Sequence, residues 1–139
     1  MTKRQRWLLA LSLLVVALIW GQSVFPPSIS REESGFFARL IVRWFGGRVS
    51  YVNHVLRKCA HFGEYTILGL VLSLCFAKRP RYLILCVLAG FAVAFLDETI
   101  QIFSSRGPAI ADVWLDTAGV LTGTLLAALI HRLRRSRGS

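Results

Sequence analysis

Four apolar runs, each long enough to cross a bilayer, constrain this chain more than anything else in it. They are Trp7–Phe25, Cys59–Ala77, Tyr82–Phe103 and Val113–Ile130, each 18 to 22 residues long. A helix rises about 1.5 Å per residue, so about 20 residues cover the hydrocarbon core. Lipid offers no hydrogen-bond partners to an open backbone, so such segments must be helical. The 139 residues leave no length for a separate soluble core, and the 55% hydrophobic content agrees. The expected architecture is all-α: a polytopic membrane protein of four transmembrane helices in a single domain, residues 1–139. One interfacial amphipathic helix joins them.

The net charge of +10 would suit nucleic acid, but a basic groove needs its Lys and Arg gathered on one exposed face. Here they flank the apolar runs, which is membrane topology and attraction to anionic headgroups. No nucleic-acid partner is expected; membrane lipids are. Lys3, Arg4 and Arg6 precede the first run, Lys78, Arg79 and Arg81 crowd the turn between the second and third, and Arg132, Arg134, Arg135 and Arg137 follow the fourth. The turn before the fourth run carries only Arg106. The first loop holds six basic residues, but short loops weigh most. Both termini are therefore expected in the cytoplasm, in the inner membrane, with residues 26–57 and 104–112 outside. The N-terminus also resembles a signal peptide, with Gly21 and Ser23 spaced for cleavage. The lack of Ala-x-Ala and the continuation to Phe25 favour a retained helix.

Phe25-Pro26-Pro27 ends the first helix, and Ser30-Arg31-Glu32-Glu33 reads as a capping box. Phe36, Phe37, Leu40, Ile41, Trp44 and Phe45 then recur at helical spacing opposite Arg39 and Arg43, up to Gly46-Gly47. This predicts a helix over about 31–45 in the outer interface. The second span is expected to begin near Ser50. Gly90 and Ala94, then Gly119, Gly123 and Ala127, repeat every four residues. Such stripes let helices approach closely in lipid, and are compatible with a homo-oligomer. Cys59, Cys75 and Cys86 lack ligand spacing and read as buried, inert thiols.

The informative residues are those a membrane helix should not contain. The second span carries Arg57, Lys58, His61 and Glu64; the third Asp97, Glu98 and Gln101; the fourth Asp112 and Asp116. An Asp or Arg at the bilayer centre costs about 3 kcal/mol on insertion scales, so several together need partners or a purpose. Spacings of three and four put each set on one face of its helix. With the topology above, all three sets fall in the outer third of the bilayer, and Arg106 reaches the same place. His61 suits a general base or acid, with Asp112 or Asp116 to orient it. Glu64 and Asp97 or Glu98 complete an acid–base set. Arg57, Lys58 and Arg106 suit an anionic headgroup, with Gln101 and Asp116 as further binding residues. An ion-pair network that only holds helices together is the structural alternative. Proton-coupled transport or flipping would need ionisable residues spread through the membrane depth. The His61-x-x-Glu64 pair and the aspartates also offer metal donors, but lack the His-Glu-x-x-His spacing. No metal site and no cofactor is assigned from sequence.

Three ordered stretches carry a resemblance: Lys58-x-x-His61-Phe62-x-Glu64-Tyr65-x-x-Leu68-Gly69, Asp97-Glu98-x-x-Gln101-x-Phe103-x-x-Arg106, and Asp112-Val113-x-x-Asp116-x-x-Gly119-x-x-x-Gly123. Over roughly residues 7–130 the chain resembles the VanZ-like family of bacterial membrane proteins, named for a teicoplanin-resistance accessory protein. The family pattern often has Asn at the position of Asp116, so the Asp here adds a charge. The resemblance implies a cell-envelope role linked to glycopeptide tolerance; with the basic residues at the headgroup level, a lipid-linked envelope intermediate or a glycopeptide is the expected partner. It implies no settled reaction. Some members are labelled phosphotransbutyrylases, but nothing in this chain would bind CoA. Catalysis and binding both remain open at this point.

Overall fold

The computed structural model describes residues 2–24, 27–77, 81–103 and 109–136, and the side chains of these except 27–34. Five helices follow in order: α1 (Lys3–Val24), α2 (Pro27–Phe45), α3 (Val49–Phe76), α4 (Tyr82–Phe103) and α5 (Ile110–Ser136). There is no strand among the described residues. α1, α3, α4 and α5 are long and apolar enough to cross a membrane. The helices outrun the apolar runs because flanking Lys and Arg are good helix formers and the backbone bonds continue past the hydrocarbon. α3, with 28 residues, is about 42 Å long, and its first turns project beyond a 30 Å core.

α2 starts at Pro27, not at the capping box around Ser30. Proline fits a first turn, where its fixed φ suits the helix and its missing N–H costs nothing. The side chains of that capping box lie outside the described residues. Ala38 is buried and α2 packs against α3, while Phe36, Phe37, Leu40, Trp44 and Phe45 face outward. Gly46 and Gly47 end the helix with φ of 75° and 106°, a left-handed region open to glycine at little cost.

Pairwise contacts give the helix directions. Ser12 meets Cys75 at 3.3 Å and Gln22 meets Glu64 at 2.8 Å, so α1 and α3 are antiparallel. Trp20 Nε1 donates to the Val93 carbonyl at 3.3 Å, and Gln101 Nε2 to Ser23 Oγ at 3.4 Å, so α4 runs parallel to α1. Gly119 lies against Phe62 and Gly123 against Thr66, so α5 runs parallel to α3. The ends of α1 and α4 thus meet the early turns of α3 and α5 at one end of the bundle.

The core is small, built on Ile19, Tyr65, Leu68, Ala94, Val113 and Val120. Larger apolar side chains such as Leu88, Phe95 and Trp114 point outward, as expected where the solvent is lipid. The α3–α5 crossing is the closest: a Cβ on Gly69 would stand 2.2 Å from the Val120 carbonyl oxygen, and one on Gly123 2.0 Å from that of Thr66. Gly90 of α4 receives the Val120 methyls, 2.5 Å from where its Cβ would be. These glycines therefore serve contacts within the one bundle. Two buried hydroxyls are satisfied along their own helices: Ser73 donates to the Gly69 carbonyl and Thr124 to that of Val120. Of the three thiols only Cys86 is buried. Cys59 is exposed, because it faces away from the bundle rather than into it, which corrects the sequence expectation.

Candidate functional site

The ionisable residues of α3, α4 and α5 gather at the end where α1 finishes. On α3, Arg57, Lys58, His61 and Glu64 are all half-buried. On α4, Asp97 and Glu98 are buried, at 0% and 8% exposure, and Gln101 is half-buried. On α5, Asp112 is half-buried. Asp116, one turn and about 6 Å further in, is 3% exposed. Arg106 lies outside the described residues.

Several of these groups tie helices together. Lys58 Nζ forms an ion pair with Asp112 Oδ1, joining α3 to α5. Gln22 Nε2 donates to Glu64 Oε1 at 2.8 Å, joining α1 to α3. The Ala109 N–H donates to Glu98 Oε1, fixing the entry to α5 against α4. Gln101 Nε2 bridges Asp97 Oδ2 at 3.3 Å and Ser23 Oγ at 3.4 Å. Lys58 and Asp112 thus engage each other.

The remaining convergence is of a different kind. His61, Asp97 and Asp116 each present a nitrogen or carboxylate oxygen, and these three atoms lie within 4.8 Å of one another. Asp116 Oδ1 is buried with no hydrogen-bond partner. His61 Nδ1 is likewise buried without one, and Glu64 Oε2 stands 4.0 Å from it. Tyr65 is fully buried, its hydroxyl unbonded and within electrostatic range of Asp97, Asp116, Glu64 and Glu98. Buried polar atoms are bonded in the great majority of cases, so this concentration of unbonded ones makes the place the candidate site.

Sequence spacing separates the residues by helix but cannot say which meet across helices. Asp116 rather than Asp112 faces His61, because one more turn carries it into the α3–α5 crossing. Gln22, Ser23 and Tyr65 were not among the candidates. The signal for the first two was a polar pair inside the otherwise apolar run Trp7–Phe25. Tyr65 reads as an ordinary aromatic, and only its burial next to carboxylates reveals it.

Four helices long and apolar enough to span, with buried acidic residues and a histidine gathered at one end, define a multi-pass membrane protein. The chain matches the VanZ/LLP1 family model over residues 8–131 and belongs to that family. No curated protein and no solved structure matches it.

Proposed function

We propose that this chain is an inner-membrane protein of the bacterial cell envelope, with both termini cytoplasmic. Its polar site, in the outer leaflet, binds or acts on the headgroup of a lipid-linked envelope component. One observation carries the reading: Asp116, buried on α5 with an unbonded carboxylate oxygen, converges with His61 and Asp97 from two other helices. A network that only holds helices together pairs its charges, as Lys58 and Asp112 do; a site leaves donors and acceptors for a ligand. Arg57 is a cation at the level of the headgroups, His61 can give or take a proton, and the exposed apolar face of α2 lies in the same interface. Family membership supports an effect on teicoplanin tolerance.

The test is complementation in a host lacking the gene, read as glycopeptide susceptibility with immunoblotting of membrane-inserted protein. His61→Ala, Glu64→Gln, Asp97→Asn and Asp116→Ala should each lose the phenotype at normal abundance. Parallel loss of protein and phenotype would identify the cluster as helix-holding only. Retained function in His61→Gln would exclude proton transfer and leave a binding role.

A further inference from the structure

The three converging residues have a composition that goes beyond headgroup contact. Two carboxylates and one imidazole come from three different helices, and their donor atoms already stand within 4.8 Å of one another. Around a tetrahedral ion with bonds of about 2.0–2.2 Å, donors stand roughly 3.4 Å apart, so small side-chain rotations close the remaining gap. We infer that His61, Asp97 and Asp116 bind a single divalent transition-metal ion, with zinc the best match to the donors.

Charge makes the first argument. A buried carboxylate in a low-dielectric interior needs a proton, a cation or good hydrogen bonds. Lys58 is engaged by Asp112, Gln22 by Glu64 and the Ala109 N–H by Glu98. Asp116 Oδ1 is buried with no hydrogen-bond partner among the described residues. A divalent ion bound there answers the Asp116 carboxylate, which His61 and Asp97 face from two other helices.

Donor type makes the second. One nitrogen with two oxygens suits zinc and its first-row neighbours better than magnesium or calcium, which prefer oxygen alone. Three protein ligands also leave a fourth position open, as in zinc sites that bind a substrate or water. The third is the surroundings. Glu64 Oε2 lies 4.0 Å from His61 Nδ1, which puts a further carboxylate beside the imidazole, outside hydrogen-bond reach. Buried Ala94 and Val113 lie one turn from Asp97 and Asp116, giving the ion an apolar wall. The ligands come one from each helix, which is why no two-histidine motif announces them.

This inference rests on the proposed site and adds an ion to it, and its test is independent of the envelope phenotype. The full chain, purified in detergent without a polyhistidine tag and stripped of metal, is titrated with Zn2+, Mn2+ and Mg2+. About one Zn2+ should bind per chain and raise the unfolding temperature, reversibly with chelator. Asp116→Asn and His61→Ala should weaken binding by more than about 100-fold, beyond the 10–100-fold typical of a change outside the ligand set such as Glu64→Gln. His131→Ala, which removes an exposed histidine at the far end of α5, should bind as the unmodified protein does. No stoichiometric Zn2+ and no thermal shift in the unmodified protein overturns the inference whatever the variants do. A preference for Mg2+, or equal binding by Asp116→Asn, does the same. Zinc bound without any susceptibility phenotype sinks the envelope reading and leaves the metal centre standing; a phenotype that needs Asp116 without any zinc does the reverse.

Discussion

The separation of α3 from α5 sets the site, and a single methyl group tests this. Gly119 lies three residues after Asp116 and packs against Phe62, the neighbour of His61. A Cβ there would stand 2.7 Å from the Phe62 carbonyl oxygen, about 0.7 Å inside the 3.4 Å where ordinary contact begins. The obstacle is backbone, so the helices themselves must move. In Gly119→Ala, overpacking of this kind costs about 1–3 kcal/mol, while alanine regains up to about 1 kcal/mol of helix propensity. The two nearly offset in stability but not in geometry. A displacement near 0.7 Å exceeds the roughly 0.5 Å to which a working site is held. Gly119→Ala should therefore accumulate in the membrane with an unfolding midpoint close to that of the unmodified chain. It should lose most of its complementing activity and at least about tenfold in Zn2+ affinity. Gly123→Ala, whose Cβ would stand 2.0 Å from the Thr66 carbonyl oxygen, 1.4 Å inside the same limit, should instead fail to accumulate. Gly63→Ala meets nothing within 4 Å and is the matched control on α3. Chemical unfolding in detergent and metal titration measure the two halves separately. Full activity and full affinity in Gly119→Ala would refute the claim that this crossing positions the site.

Three further outcomes follow from the same contacts. Gly90→Ala meets the Val120 methyls at 2.5 Å and should cost about 1–3 kcal/mol; Val120→Ala should recover part of that loss. The same second change should not rescue Gly69→Ala, which meets the Val120 carbonyl oxygen at 2.2 Å, and a double-mutant cycle in detergent decides between them. Lys58→Ala and Asp112→Ala remove one ion pair whose side chains are 36% and 34% exposed, so a cycle on unfolding stability should give a coupling of only about 0.2–1 kcal/mol. Trp20→Phe drops the indole N–H that reaches the Val93 carbonyl and trims the ring that packs on the core, a loss of at least about 0.5–1.5 kcal/mol in thermal unfolding with metal binding unchanged.

Much of this molecule was legible because lipid is an exacting solvent. Four uncharged or nearly uncharged runs can only be helices, and each falls largely within one long helix of the structure. The start of α3 near Ser50 was legible for a different reason, since Gly46-Gly47 ends one helix and frees the chain to begin another. The start of α2 was missed because a capping box and a first-turn proline compete as start signals. Which carboxylate meets His61 was not legible either. Asp112 and Asp116 share a helix face, and sequence spacing cannot show that α3 approaches closest at Gly119. Burial of Cys59 was overestimated for the same reason: an apolar run in a membrane has an outside as well as an inside, and hydropathy does not distinguish them.

The packing glycines and the polar site belong to one construction. Gly119 and Gly123 continue the α5 stripe that begins near Asp116, and they let α3 come close enough for His61 to reach across. Close backbone approach also excludes the water that would otherwise solvate the two aspartates, and this raises the affinity of the site for a cation. Further along the same helices the buried polar residues change character. Ser73 and Thr124 bond to carbonyls of their own helices, and Cys86 lies beside Ser73 at 3.8 Å; none carries a charge in its ordinary state. A proton or ion route needs ionisable groups in succession through the membrane. The buried ionisable groups described here are gathered at one end and give way to neutral ones, which favours a site that meets its ligand from a single face over one that passes it through.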